Sequence, residues 1–324
     1  MDLAVTFLGT GGSVPSARRS TASVLVARGG ERLLFDCGEG TQRQMQRSLG
    51  LVQADEIYLT HFHADHVLGI PGLLKTYDLT DRQVPLRIYG PRGLTELFQV
   101  FSPLIGRLGF TLDLIELDPG EAVEREDYEV RAYEASHRNT RANGYALVEA
   151  ERPGRFDPAA AAAAGVPEGP AYAALQRGEE VEGTAGTVSP DQVMGPSRAG
   201  RTIVITGDTA PSPATVSAAA DADLLIHDAS FAEEEVRRAE ETGHSTLAQA
   251  AGVAAEAHVK LLALVHISSR YHVGKAIEEA KAVFGPTVAP KDFDVIELPF
   301  PERGEPHLVQ NGARETREEA ESEG

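Results

Sequence analysis

Residues 61–66 read His-Phe-His-Ala-Asp-His, directly after the strand-like run DEIYLT. Four metal-seeking side chains inside six positions constrain the fold: this strand end has to face a cation-sized centre. In an extended segment His61 and His63 project to the same side. Asp65 and His66 then fall in the turn entering the next helix. One pair can bind one metal while the second pair addresses a neighbour. Zinc accepts histidine and carboxylate, whereas an octahedral magnesium site wants oxygens. Two metals roughly 3.5–4 Å apart clamp an in-line displacement at phosphorus and generate a hydroxide near neutral pH. An accidental histidine-rich turn predicts no further ligands. Three more candidates nevertheless end strand-like runs: His137 after YEVRAYEAS, Asp208 after TIVITG and His266 after LLALV. Cys37 is the one cysteine, which excludes an intramolecular disulfide and a cysteine-rich metal site.

The surrounding pattern predicts how these ends are delivered. Short β-like runs cover 3–9, 22–27 and 32–38, and 39–50 reads as a helix ending at Gly50. A buried strand over 55–61 enters the histidine cluster, 67–80 looks helical, and 85–91 is another strand. TLDLIEL, YEVRAYEASH and NGYALVE supply strands between 110 and 150. Strands at 201–208, 222–230 and 259–268 then alternate with helices over about 245–257 and 272–284. This alternation predicts an α/β class with a mixed sheet. The glycines at 9, 11 and 12 are not followed by Gly-Lys-Ser/Thr, so a phosphate loop is excluded. They predict instead a tight backbone turn near the site floor.

Two stretches break the pattern. Residues 151–200 are rich in Pro, Gly and Ala with little periodicity, and read first as a linker or disordered insertion. A stretch of that length between core strands is more often functional than structureless. Residues 301–324 are polar and acidic, and predict a disordered tail.

The formal charge is −19, with 5 Lys against 25 Arg. Such a surface suits solubility in concentrated salt and opposes a general nucleic-acid binder, which needs a basic footprint. A hydrophobic content of 42% supports a sizeable core. No apolar run approaches the roughly 18 residues of a membrane span, and the start MDLAVTFLGTGG has no secretory pattern. The expected compartment is the cytoplasm.

H-x-H-x-D-H followed by His, Asp and His at later strand ends resembles the metallo-β-lactamase superfamily. The resemblance implies an α+β, four-layer αββα sandwich with its metals at one edge. It implies two zinc ions per subunit: His61, His63 and His137 on one, Asp65, His66 and His266 on the other, and Asp208 bridging. FLGTGGSVPSARR, FDCGEGTQRQMQR, GHSTLAQAA and HISSRYH further resemble the ribonuclease Z family, over most of residues 3–300. That family removes the 3′ trailer of precursor tRNA. The resemblance turns 151–200 into an inserted exosite arm for tRNA, with Gly169 and Pro170 at its turn. It makes His244 the catalytic proton donor, oriented by Asp228, in a His227-Asp228-Ala229-Ser230-Phe231 segment where the family carries glutamate in place of Asp228. The shorter side chain predicts a longer hydrogen bond or a small backbone shift. Asp65 is the carboxylate beside the attacking water, and Arg270 is either a phosphate contact or a structural ion pair. A homodimer is implied as well. Two other readings stand beside it: a small-molecule metallo-hydrolase of the same superfamily, and a non-enzymatic RNA-binding protein with a degenerate site.

Overall fold

Apolar runs that do not alternate with polar residues become strands covered on both faces. Val24 and Val26 point into the core between two sheets, while Leu25 points to the opposite face. Likewise Leu224 and Ile226 face inward and Leu225 outward. The computed structural model describes residues 2–50, 52–270 and 273–310. Among these described residues the first sheet has eight strands, in spatial order His307–Val309, Val295–Glu297, Leu3–Gly9, Ser23–Arg28, Glu31–Phe35, Glu56–Tyr58, Leu86–Gly90 and Leu112–Glu116. The second has seven, in order Thr287–Val288, Leu261–Val265, Leu224–Asp228, Thr202–Ile205, Asn143–Glu149, Tyr128–Glu134 and Ala122–Glu124. Both are mixed.

Helices cover the outer faces. Thr41–Leu49, Ile70–Leu79 and Leu94–Ile105 bury Met45, Leu73, Leu74, Phe98 and Phe101 against the first sheet. Pro213–Ala218, Leu247–Glu256 and Val273–Val283 cover the second. The layers are helix, sheet, sheet, helix, the four-layer α+β sandwich expected. An aromatic stack, Phe35 on Tyr58 on Tyr89 with centroids 5.1 and 4.8 Å apart, fills the inter-sheet core beneath the Glu56–Tyr58 strand end.

Two expectations need correction. Residues 149–201 are not a structureless linker: they form a compact unit separate from residues 1–148 and 202–324. Asp157 caps the helix Pro158–Ala163 by accepting from the amides of Ala159 and Ala160. The helix Pro170–Gln176 and the hairpin Val181–Gly183/Gly186–Val188 follow. The unit buries its own small core of Ala161, Val166, Leu175, Val188 and Val193. Its ends are joined by the buried pair Glu149–Arg201, with two nitrogen–oxygen contacts of 2.7 Å. Short elements packed on one another rather than on a long amphipathic face leave little periodicity to read. The second correction concerns the tail. His307–Val309 pairs antiparallel with Val295–Glu297, because Leu308 packs against the inter-sheet core. The remainder of the predicted tail, 311–324, lies outside the described residues, as do Tyr271 and His272 of the HISSRYH segment.

Candidate functional site

The candidate residues converge because they leave the sheets at one edge. His61 follows the Glu56–Tyr58 strand, His137 the Tyr128–Glu134 strand, Asp208 the Thr202–Ile205 strand and His266 the Leu261–Val265 strand. Asp228 is the last residue of its own strand. The Leu59–His61 segment is fixed by the Tyr145 hydroxyl, which donates to the Leu59 carbonyl at 2.8 Å, and by the Asn143 amide, which donates to the Thr60 carbonyl at 2.8 Å. The four-residue helix Ala64–Val67 then carries Asp65 and His66.

Donor atoms fall into two overlapping groups. His61, His63, His137 and Asp208 place one ligand atom each within 4.8 Å of one another, and so do Asp65, His66, His266 and Asp208. The two oxygens of Asp208 divide between them. Oδ2 lies 3.6 Å from His61 Nε2 and 4.0 Å from His137 Nε2. Oδ1 lies 3.2 Å from His66 Nε2 and 3.3 Å from His266 Nε2. Asp65 Oδ2 is 3.1 Å from His266 Nε2 and accepts from the Ser13 amide at 2.8 Å.

Four of the histidines have fixed tautomers. His137 Nδ1 donates to the Gly243 carbonyl at 2.8 Å, and His66 Nδ1 donates to Asp36 at 2.7 Å. The Thr60 hydroxyl donates to Asp36 and accepts from His61 Nδ1. The Ser230 hydroxyl donates to Asp228 at 2.6 Å and accepts from His266 Nδ1 at 2.8 Å. Each outward Nδ1–H leaves an Nε2 lone pair aimed at the centre. His61 Nε2, His66 Nε2 and Asp208 Oδ1 are buried and make no hydrogen bond. Buried polar atoms are seldom left that way. Three of them in one centre, among imidazoles and carboxylates, fit a site for divalent metal.

The electrostatics agree. Burial opposes charge on His66, but Asp208 and Asp36 raise its pKa well above the ordinary imidazole value. Against burial, Asp208, Asp228 and Asp65 raise His266 to about 10. Burial would raise Asp208, yet His266 and His66 hold it well below the carboxylate range. The carboxylates therefore draw positive charge into the centre, and a divalent cation satisfies them with the imidazoles neutral.

His244 stands beside the cluster, its Nδ1 2.8 Å from Asp228 Oδ2. Asp228 is fully buried and also accepts from the amides of Thr209 and Ser230. Of the two expectations for the shorter side chain, a longer hydrogen bond or a backbone shift, the longer bond is absent: the contact is 2.8 Å. Arg270 is exposed, 3.8 Å from Glu235 and hydrogen-bonded to Ser268. In the 149–201 unit, Gly169 (φ 107°) precedes the helix that Pro170 opens. Gly12 does not adopt positive φ; it is a close approach, since a Cβ there would lie 2.6 Å from His266 Nδ1.

A family model for the metallo-beta-lactamase superfamily matches residues 17–250. The Ribonuclease Z of Methanosarcina acetivorans is 48% identical over 302 residues, covering 92% of this chain and 99% of its own length. The chain belongs to the ribonuclease Z family of the metallo-beta-lactamase superfamily. The Ribonuclease Z of Natronomonas pharaonis is likewise 48% identical, covering 93% of this chain and all of its own. The crystal structure of human tRNase Z, short form, superposes with a TM-score of 0.66 at 29% identity, over 92% of this chain and all of that one. In this ribonuclease Z family member the sequence reading missed the outward partners of the histidines: Asp36, Thr60, Ser230 and the Gly243 carbonyl. Asp36 sits in the FDCGEG stretch, and its positive φ of 57° marks a sharp exit from the strand. A carboxylate ending an apolar strand was the available signal.

Proposed function

We propose that the chain is a zinc-dependent endoribonuclease that cuts precursor tRNA after the discriminator nucleotide, leaving a 3′-OH on the tRNA and a 5′-phosphate on the trailer. The observation that carries this reading is the 48% identity to a Ribonuclease Z that the chain spans almost end to end. The double donor set with inward lone pairs supports it. His61, His63 and His137 would hold one zinc, Asp65, His66 and His266 the other, and Asp208 would span both.

When bound, such metals supply Lewis acidity at the phosphate and lower the pKa of a water toward neutrality. Asp65, anchored by the Ser13 amide, orients the attacking water and accepts its proton. A bond forms from the water oxygen to phosphorus as the bond to the ribose 3′-oxygen breaks. His244, with Nδ1 held by Asp228, delivers a proton from Nε2 to that leaving oxygen. The substrate 2′-hydroxyl takes no part. Arg270 adds a phosphate contact, and the 149–201 unit serves as the tRNA-gripping arm of a homodimer. A cytoplasmic location completes the reading; no helix among the described residues is long and apolar enough to cross a membrane.

The test is cleavage of a precursor tRNA with a 3′ trailer, in molar KCl with zinc, by wild type and Asp65→Ala. One cut after the discriminator, lost in the variant, is expected. A cyclic phosphate product, or full activity after exhaustive chelation, would refute the mechanism. No cut by a folded, metal-loaded wild type would favour a small-molecule hydrolase.

A further inference from the structure

We propose that the groove lined by residues 138–143 binds the phosphate backbone of the RNA strand retained after the cut. The inference rests on the endonuclease reading above.

A cavity of about 330 Å³ opens at the cluster, lined by His63, His137, Arg138, Asn139, Thr140 and His244. A second, of about 380 Å³, shares Arg138, Asn139 and Thr140 and continues to Arg92, Arg141 and Asn143. The two adjoin along the shared 138–140 loop, so together they define a groove leading away from the histidines. Arg138 and Arg141 are exposed and make no hydrogen bond, ion pair or ring contact among the described residues. Among the described residues both lack a carboxylate partner, although the chain carries 49 acidic against 30 basic side chains. The acids lining the groove are Asp118, which already pairs with Arg92, and Glu134. Exposed guanidinium groups beside a phosphodiester-cleaving centre suit phosphate oxygens.

The loop is held in shape. The Thr140 amide donates to the His137 carbonyl at 3.0 Å, and Arg138 turns with φ 50°. Gly243 approaches so closely that a Cβ there would lie 2.6 Å from Arg138 Cγ. Arg138 is thus packed on the segment that carries His244. In the mechanism above His244 protonates the 3′-oxygen of the retained strand. That strand therefore starts at the mouth His244 shares with Arg138, and the groove continues from there.

The experiment compares Arg138→Ala/Arg141→Ala with Arg138→Lys/Arg141→Lys and wild type. Two cleavage products are titrated onto each protein across a salt series: tRNA ending at the discriminator 3′-OH, and the trailer oligonucleotide with its 5′-phosphate. The alanine pair is expected to weaken tRNA binding about tenfold and to flatten the log–log salt slope by about 1.4–1.8, for two phosphate contacts. The lysine pair should restore most of the affinity, and trailer binding should not change, which also reports an intact fold. Unchanged tRNA binding, or a loss confined to the trailer, overturns the groove assignment while leaving the nuclease standing. A wild type that cuts no precursor overturns both.

Discussion

Asp36 and Asp228 show how a metal-seeking cluster depends on residues outside it. Asp36 accepts from Thr60 and from His66 Nδ1, so it fixes which nitrogen of His66 faces Asp208. Asp36→Asn is expected to weaken zinc affinity by about 10–100-fold, read by competition with a chromogenic chelator. Unchanged affinity would show that the imidazole orients itself. Asp228 does the same for His244 and, through Ser230, for His266. Asp228→Asn should lower kcat about 100-fold at pH 7 while KM stays within about twofold, the split expected when a general acid is misoriented. A variant in which only KM rises would assign Asp228 to substrate binding. His266 itself has φ 60°, a left-handed conformation that non-glycine residues seldom take outside tightly determined sites.

At the level of elements, the helix that follows His244 is fixed by its first turn. The Thr246 hydroxyl accepts from the Gln249 amide, and the Gln249 side chain accepts from the Thr246 amide, a reciprocal capping box. Ser245, one residue before the cap, donates to the Thr209 carbonyl at 2.7 Å. Thr246→Ala is expected to cost about 1 kcal/mol and lower Tm by about 1–2 °C in a thermal melt. No change in Tm would mean that burial of Leu247, Ala250 and Ala251 alone holds the helix. Strand ends were less legible than strand cores. The predicted strands 32–38 and 55–61 run past the observed ends at Phe35 and Tyr58, because the turning residues Asp36, Cys37, Leu59, Thr60 and His61 are buried beneath the site. The helix Leu94–Ile105 was not predicted, although Leu94, Phe98, Phe101 and Ile105 bury one face at helical spacing.

For the whole molecule, the 149–201 unit is the part whose role can be removed cleanly. The Gly195 amide donates to the Arg155 carbonyl at 2.8 Å, so the two ends of a 155–195 deletion adjoin. The deletion is expected to keep the divalent-metal content and raise KM for precursor tRNA at least about tenfold, equivalent to ~1.4 kcal/mol of lost binding. An unaltered KM would remove the tRNA arm from the account. The net charge of −19 makes the location of any cationic groove a property of the folded surface rather than of composition.

The sequence alone determined the layered class and the identity of the metal-seeking residues. Apolar runs set strands, and His61, His63, Asp65 and His66 are neighbours in the chain, so their proximity needed no tertiary information. The outward partners Asp36, Ser230 and Gly243 were decided only by tertiary structure. Each lies at least 30 positions from the imidazole it orients, and no local spacing encodes which strand ends adjoin. The division of Asp208 between two groups has the same cause: it depends on which atoms two packed sheets bring to a common edge.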